Sequence, residues 1–247
     1  MAARSLSDVP HLHVFRTPEL FARGLADAFV ASARDAIATR GRFTVALAGG
    51  TTPRGAYALL AQDPRRSLVA WNAVHVYFGD ERCVPPDDPA SNYHTAKETL
   101  LDDVAIPAAQ VHRMRGEIDP QQAALEYALV LRNTIGERPV LDLVMLGIGA
   151  DGHTASLFPG ENPLADDDAL VRAVYAQSVR MWRLTITPDV INASHEVLFG
   201  VSGAEKAAAL KAIREGPYDP WRYPAQIVKP HSGRLLWYAD AAAAAAG

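Results

Sequence analysis

Short apolar runs that end in glycine constrain the fold of this 247-residue chain more than any other feature. Residues 43–48 read Phe-Thr-Val-Ala-Leu-Ala and are followed by Gly49 and Gly50, while residues 141–146 read Leu-Asp-Leu-Val-Met-Leu and precede Gly147. Short continuous runs of this kind indicate strands that are buried on both faces, which is typical of parallel sheets. We therefore expect a central sheet that is covered on both sides.

Segments with helical spacing lie between these runs. Residues 18–40 place apolar side chains three to four positions apart and stop before Gly41, which predicts a helix. Ser202 is expected to cap a late helix that has Glu205 as its third residue. The remaining elements predicted in this way are helices at 53–62, 91–101, 120–135 and 204–214, and strands at 74–78, 184–187, 197–201 and 235–238.

This alternation predicts an α/β fold with a mostly parallel sheet and helices on both faces, Rossmann-like in organisation. Ligands of such folds bind beyond the carboxyl ends of the strands, so functional residues are expected in the loops that follow strands. No linker separates two halves that each look complete, which predicts a single domain over residues 1–247.

Composition excludes several classes of protein. The only cysteine, Cys83, rules out an internal disulfide and a multi-thiolate metal site, and it favours a reducing compartment such as the cytoplasm. A net charge of −4 with scattered basic residues lacks the footprint of nucleic-acid binding. No stretch is apolar for the length of a signal peptide core or a membrane span, so we expect neither secretion nor membrane insertion.

The first candidate loop runs from Ala48 to Arg54 and lies between a buried strand and a helix that Pro53 can open. Gly49 and Gly50 let an anion approach the backbone, and the hydroxyls of Thr51 and Thr52 can add hydrogen bonds. A tight turn with a threonine cap is the alternative explanation. The spacing matches neither the dinucleotide nor the nucleoside-triphosphate fingerprint.

The second candidate is Phe78-Gly79-Asp80-Glu81-Arg82, at the end of the strand predicted at 74–78. Arg82 is expected to face an anionic ligand, although an exposed ion pair with a neighbouring acid would explain the same residues. Asn92 lies at the start of the next helix, beside a serine that serves as a cap, and is a further candidate for ligand binding.

The third candidate is the segment 147–160, which begins Gly-Ile-Gly-Ala-Asp-Gly-His. Three glycines within six residues indicate a loop whose backbone lies close to a ligand. Asp151 and His153 are two positions apart, so the carboxylate can orient the imidazole and raise its basicity. A lone histidine is usually structural, but in this setting we interpret His153 as a general base.

A fourth group of candidates is dispersed along the chain. Arg180 and Arg183 precede the strand predicted at 184–187, and Lys206 lies in the first turn of the last long helix. A cation at a helix start is disfavoured by the helix dipole unless it faces a bound anion. A solvent-exposed lysine is the alternative.

Together these motifs resemble the 6-phosphogluconolactonases over most of the chain. The most specific part is residues 151–160, Asp-Gly-His-Thr-Ala-Ser-Leu-Phe-Pro-Gly, and the motifs at 49–53, 80–82, 91–93 and 183–185 support it. The related glucosamine-6-phosphate deaminases share the glycine loop and the Gly-x-Gly-x-Asp-Gly-His motif. They carry an acidic residue just before the Pro-Gly, where this chain has Phe158, which cannot transfer a proton.

The resemblance implies a fold of the deaminase/ribose-5-phosphate isomerase type and the hydrolysis of 6-phospho-D-glucono-1,5-lactone in the oxidative pentose phosphate pathway, without metal or other cofactor. It implies that His153 activates water, that Asp151 tunes the imidazole, and that the loop N–H groups or Arg82 stabilise the oxyanion. It also implies a set of phosphate-binding residues, namely Gly49, Gly50, Thr51, Arg183 and Lys206.

Two departures from the family pattern concern the arginines and the first loop. The family often has Lys-Pro-Pro ahead of the strand arginine, where this chain has Ser178-Val179-Arg180, so the resemblance assigns no role to Arg180. Thr51 stands where serine is commoner, which keeps the hydroxyl.

The expected partner is a small sugar-phosphate lactone, with neither nucleic acid nor membrane involved, and either a monomer or a weak dimer fits the sequence. The alternative functions are a 6-phosphosugar isomerase or deaminase and a non-catalytic sugar-phosphate sensor.

Overall fold

The computed structural model describes residues 11–161 and 168–245, and within them the strands form two sheets. The large sheet is parallel, and its strands are, in spatial order, β1 (Leu12–Phe15), β9 (Arg234–Asp240), β8 (Glu196–Val201), β5 (Leu143–Leu146), β2 (Phe43–Leu47) and β3 (Val74–Phe78). The small sheet is antiparallel, in the order β4 (Asp80–Arg82), β7 (Met181–Ile186) and β6 (Val171–Ala176).

Helices connect most strands of the large sheet. The first of them begins after Thr17, whose hydroxyl accepts a hydrogen bond from the backbone N–H of Leu20 at 3.2 Å, and it ends at Gly41 with a left-handed φ of 76°. The helices are α1 (Pro18–Arg40), α2 (Arg54–Leu60), α3 (Arg65–Leu68), α4 (Asn92–Ala96), α5 (Pro120–Thr134), α6 (Pro188–Ala193) and α7 (Ala207–Glu215). A π-helical turn, Lys97–Leu101, continues α4.

The large sheet is buried on both faces. Successive residues of β2 enter opposite cores: Val45 and Leu47 pack in the same cluster as Phe29 of α1, whereas Ala46 packs in the cluster that contains Leu131 of α5. This arrangement explains why β2 lacks an alternating polar pattern. It confirms the predicted α/β fold with a mostly parallel sheet and helices on both sides.

A buried carboxylate joins two central strands at their N-terminal ends. Asp142, which directly precedes β5, accepts hydrogen bonds from the backbone N–H of Thr44 at 2.7 Å and from its hydroxyl at 2.8 Å. The Nε of Arg40 donates to the same carboxylate at 2.6 Å. This contact secures the register of β2 and β5 at the edge opposite to the one where ligands are expected.

The chain passes from the large sheet to the small one through Gly79. The backbone N–H of Gly79 still donates to the carbonyl of Leu47 at 3.0 Å, while its own carbonyl accepts the N–H of Ile186 in β7 at 2.9 Å. The small sheet therefore lies against the carboxyl ends of β2 and β3. Its strands supply side chains to the same edge as the loops of the large sheet.

The small sheet is where the structure departs from the sequence-based expectations. The strand predicted at 184–187 exists as β7, but it begins at Met181 and pairs in antiparallel fashion, so Arg183 lies inside a strand and not ahead of one. Asp80-Glu81-Arg82 forms β4 and not a loop. Strand β6 was not predicted because its residues, Val-Arg-Ala-Val-Tyr-Ala, do not show a strand period clearly.

The start of the last long helix also differs from the prediction. A 3₁₀ turn, Ala204–Lys206, precedes α7, and no side chain caps the α-helix. Ser202 instead donates its hydroxyl to Asp240 of β9 at 2.5 Å. The cap was predicted from local spacing, whereas the hydroxyl is taken by a carboxylate 38 positions away in the chain.

Candidate active site

Two adjoining cavities lie at the carboxyl edge of the large sheet. The first, of about 270 Å³, is lined by the loops after β2 and β5, by residues of β8 and by Lys206. The second, of about 390 Å³, lies toward the small sheet and is lined by Asp151 and Arg183 among others. Asp80, Arg82 and His153 line both cavities, so the two form one continuous site.

Gly49 and Gly50 shape the first candidate loop for different reasons. Gly50 has a φ of 79°, which disfavours any residue with a side chain. At Gly49 a Cβ atom would stand 1.9 Å from Oδ1 of Asn92, so the loop and this amide fit together only without a side chain. Thr51 and Thr52 also line the first cavity, and the loop therefore offers backbone N–H groups and two hydroxyls to a ligand.

Lys206 reaches this loop from the other end of the chain. Its ammonium group donates to Oγ1 of Thr52 at 3.1 Å. Burial lowers the pKa of Lys206, although the nearby carboxylates of Glu205 and Asp240 act in the opposite direction. A cation that has lost hydration without gaining a carboxylate contact would be stabilised by a bound anion. The structure thus brings together three of the predicted anion-binding elements: Gly50, Thr51 and Lys206.

Asn92 and Glu81 hold the wall of the site between the loop and the small sheet. The side-chain amide of Asn92 donates to the backbone carbonyl of Asp80 at 2.9 Å and to its carboxylate at 3.0 Å. The buried carboxylate of Glu81 accepts the backbone N–H groups of Arg82 and Asn92 at 2.8 and 2.6 Å, with further hydrogen bonds from Ser91 and Tyr93. Glu81 therefore anchors the start of α4 and with it Asn92.

Burial raises the pKa of Glu81, and the hydrogen bonds from these four residues offset only part of that rise. The role of Glu81 was missed from the sequence, where it was considered only as an ion-pair partner of Arg82. The neighbouring Asp80 faces the cavities, and the hydroxyl of Ser156 donates to its second oxygen at 2.7 Å. In the sequence, the serine of the Thr-Ala-Ser segment is the feature from which this contact could have been predicted.

His153 and Asp151 form the predicted pair. Nδ1 of His153 lies 2.6 Å from Oδ1 of Asp151, and the same oxygen accepts the backbone N–H of His153 at 3.1 Å. Burial acts to raise the pKa of Asp151, but the hydrogen bonds and the charge interaction with His153 outweigh it, so the pKa lies below its usual value. Asp151 thus stays ionised and keeps Nδ1 protonated, which leaves Nε2 as the basic nitrogen.

The glycines of this loop serve the catalytic pair as well as the cavity. A Cβ atom on Gly149 would stand 2.2 Å from Nδ1 of His153 and 2.4 Å from Oδ1 of Asp151. The loop was expected to press its backbone against a ligand, and at Gly149 the close neighbours are instead the two functional side chains. The ring of Phe158 lies 4.8 Å from the His153 ring, centroid to centroid, and covers one side of it.

Arg82 and Arg183 lie side by side on neighbouring strands of the small sheet. They are paired residues of β4 and β7, and Arg82 donates to the backbone carbonyl of Ala90. Burial and the charge of Arg82 both lower the pKa of Arg183. Arg183 lines the second cavity beside His153, whereas Lys206 lines the first, so the structure does not bring these two predicted phosphate residues to one wall.

Arg180 lies on the turn between β6 and β7 with a left-handed φ of 50°. Its neighbours Ser178 and Val179 line the second cavity.

Among residues 11–161 and 168–245, no group of three or more His, Cys, Asp and Glu side chains is arranged to hold a metal ion. In the same part of the chain, no helix combines the length and the apolar character needed to cross a bilayer.

A histidine–carboxylate pair and several anion-binding groups, all at the carboxyl edge of a parallel sheet, define an α/β enzyme for a small phosphorylated substrate. The model of the family described as glucosamine-6-phosphate isomerases/6-phosphogluconolactonase matches residues 16–237. The chain belongs to this family.

Relatives and solved structures give the same assignment. The chain is 41% identical over 210 residues to a 6-phosphogluconolactonase from Synechocystis sp., covering 83% of this chain and 85% of the relative. A solved structure of 6-phosphogluconolactonase from Trypanosoma cruzi superposes with a TM-score of 0.85 at 28% identity and covers 96% of both chains. A monomeric glucosamine-6-phosphate deaminase superposes with a TM-score of 0.82 at 20% identity, covering 96% of this chain and 99% of its own, which shows a shared fold.

Proposed function

We propose that this chain hydrolyses 6-phospho-D-glucono-1,5-lactone to 6-phosphogluconate, the lactonase step of the oxidative pentose phosphate pathway, with His153 as the general base. The observation that carries the proposal is the hydrogen bond between Nδ1 of His153 and the carboxylate of Asp151 in a cavity whose other end offers a phosphate site. The names of the relatives support the substrate, and the motif at 151–160 matches the lactonases in the sequence.

The phosphate binds at the first glycine loop. Backbone N–H groups of Gly49, Gly50 and Thr51 surround it, and the ammonium group of Lys206 neutralises part of its charge. Asn92 acts indirectly, because its amide packs against Gly49 and ties the loop to Asp80. A phosphate anchored in this way orients the lactone ring toward His153, so binding energy supports the reacting geometry.

His153 removes a proton from water while the water oxygen attacks C1 of the lactone. The carbonyl electrons move to the oxygen, and Arg82, which lines both cavities, donates hydrogen bonds to the oxyanion. The C1–O5 bond then breaks as the carbonyl reforms, and His153 returns its proton to the departing ring oxygen. The product acid ionises to a carboxylate at neutral pH. Asp151 stabilises the imidazolium between the two proton transfers.

A 6-phosphosugar deaminase is the main alternative because it shares the fold. The side chain at the position of the deaminase acid is Phe158, which is buried against the ring of His153 and has no proton to give. A sugar-phosphate sensor would bind the same ligand without turnover. Residues 1–247 act as one domain in this proposal, and the proposed location is the cytoplasm.

Turnover of the two substrates separates these functions. The decay of 6-phosphogluconolactone is followed by stopped flow with and without the protein, because the lactone also hydrolyses spontaneously. Glucosamine 6-phosphate is assayed for ammonia release in parallel. We expect accelerated lactone decay and no ammonia. Release of ammonia would favour the deaminase, and no acceleration with retained ligand binding would favour the sensor.

A further inference from the structure

We propose that Arg183, paired with Arg82, binds the C1 end of the ligand, where hydrolysis produces a carboxylate, and that Arg183 is not a phosphate residue. This inference rests on the proposed function. It divides the site into two anion-binding poles, one for each negatively charged end of the product. The loop at 49–51 and Lys206 form the first pole, and the arginine pair forms the second.

The position of the two arginines on neighbouring strands is the first argument. Arg82 and Arg183 are directly opposite residues in the antiparallel pairing of β4 with β7. Directly opposite residues point to the same side of a sheet, and like charges in that arrangement repel each other. Burial and the charge of Arg82 lower the pKa of Arg183, and the nearby carboxylates of Asp80 and Glu81 offset this only in part. An anion between the guanidinium groups converts this repulsion into attraction.

The unmatched donors of the pair are the second argument. The Nε atoms of Arg82 and Arg183 are both buried, and neither has a hydrogen-bond acceptor among the described residues. Arg82 has one backbone acceptor, the carbonyl of Ala90, which holds the side chain in place. Guanidinium groups bind carboxylates through two parallel hydrogen bonds, so an incoming carboxylate satisfies donors that the folded chain leaves open.

The nearby carboxylates act on the arginines through their charge, but they accept their hydrogen bonds from other groups. One oxygen of Asp80 accepts from Asn92 at 3.0 Å and the other accepts from Ser156 at 2.7 Å. Asp151 is hydrogen-bonded to His153 at 2.6 Å. Within the described part of the chain, neither guanidinium group donates a hydrogen bond to these carboxylates, so an anionic group that enters the second cavity finds donors that are still available.

The separation of the two cavities indicates where each end of the ligand binds. Lys206 and the glycine loop line the first cavity, Arg183 and Asp151 line the second, and His153 lies at their junction. The reacting carbon must lie next to His153, and the phosphate is at the far end of a six-carbon chain. A phosphate at the loop therefore directs C1 toward the small sheet, where Arg183 is available.

Calorimetric binding of two matched ligands tests this assignment. The ligands are 6-phosphogluconate, which carries both charges, and glucitol 6-phosphate, which has the same phosphate but no carboxylate. For Arg183→Met we expect about 10- to 100-fold weaker binding of 6-phosphogluconate and a change within about twofold for glucitol 6-phosphate, since charge-assisted hydrogen bonds are lost at one end only. Lys206→Met is the matched control and should weaken both ligands by similar factors.

Equal losses of affinity for the two ligands in Arg183→Met would show that Arg183 binds the phosphate and would overturn the proposal. No loss of affinity for either ligand would also overturn it. Arg183→Lys, which keeps the charge but not the fork of donors, is measured alongside in case the methionine variant does not fold. It should still bind 6-phosphogluconate more weakly than the wild type does, at unchanged affinity for glucitol 6-phosphate. Lactone turnover by the wild type tests the proposed function separately, because the ratio of the two affinities does not depend on turnover.

Discussion

The large parallel sheet and the small antiparallel sheet contribute to the site in different ways. The large sheet places its functional groups in loops beyond strand ends, as with Gly50 after β2 and His153 after β5. The small sheet places Arg82 and Arg183 within its strands, where cross-strand pairing fixes their separation. The positions of functional groups on the loops therefore depend on local backbone shape, whereas the positions of those on the strands depend on contacts between distant segments.

Loss of the histidine should have the largest effect if the loops of the large sheet carry the chemistry. We expect His153→Ala to lower kcat by about 10²- to 10⁴-fold, the usual contribution of a general base. Stopped-flow decay of the lactone, corrected for spontaneous hydrolysis, measures it. His195→Ala, an exposed histidine just before β8, is the control and should retain full activity. Undiminished turnover by His153→Ala would contradict the mechanism.

The shape of the same loop should matter almost as much. In Gly149→Ala the new methyl group would overlap the His153 ring, at 2.2 Å from Nδ1 before any movement, and so displace the catalytic pair. We expect kcat to fall by about 10- to 100-fold, because misplaced catalytic groups lose most of their effect. Binding of glucitol 6-phosphate should change far less than kcat, since the phosphate is bound by the loop at 49–51 and Lys206 and not by the displaced pair. A variant with normal kcat would show that the loop tolerates the side chain.

The pH dependence of phosphate binding should expose the role of Lys206. Because burial lowers the pKa of Lys206 below the usual lysine value of 10.5, the ammonium group loses its proton at a lower pH than an ordinary lysine. Affinity for glucitol 6-phosphate should therefore be full while Lys206 is protonated and should fall by about tenfold as the pH rises through this lowered pKa.

Lys206→Arg provides the matched control for this prediction. Arginine remains protonated throughout the alkaline range, so the variant should lose the alkaline decline while it keeps binding. Calorimetric titrations at a series of pH values measure both proteins. An identical decline in the two would assign the titration to another group.

The smallest effects are expected from replacing two buried carboxylates, and these variants best distinguish the roles of the two sheets. Glu81 anchors the small sheet to α4 at the site, and Asp142 joins β2 to β5 at the opposite edge. Glu81→Gln and Asp142→Asn should each lower the free energy of unfolding by about 1–3 kcal/mol, because each amide replaces an accepting carboxylate oxygen with an NH2 group that cannot accept a hydrogen bond. Urea denaturation measures this loss.

Activity should then separate the two variants under conditions where both are folded. Glu81→Gln should reduce lactone turnover several-fold, since Arg82 and Asn92 lose their common anchor, whereas Asp142→Asn should leave it unchanged. A larger loss of activity in Asp142→Asn would mean that the parallel sheet transmits strain to the site and would contradict the division between the two sheets.

The sequence was sufficient for much of the site because the relevant signals are local. Continuous apolar runs predicted the buried parallel strands, and the glycine loops at 49–50 and 147–152 followed from their position after those runs. The Asp151–His153 spacing predicted a contact that the structure has at 2.6 Å. In each case the interacting atoms are a few residues apart, so backbone geometry alone brings them together.

Tertiary structure decided the rest. Lys206 meets Thr52, Arg183 meets Arg82, and Glu81 meets the start of α4 because distant segments pack at one edge of the large sheet. The charged sequence of β4 and the unclear period of β6 concealed the small sheet, whose strands are stabilised by pairing more than by their own pattern. Sequence thus determined which chemical groups this protein has, and long-range pairing decided which of them share a ligand, because that depends on contacts that no local pattern encodes.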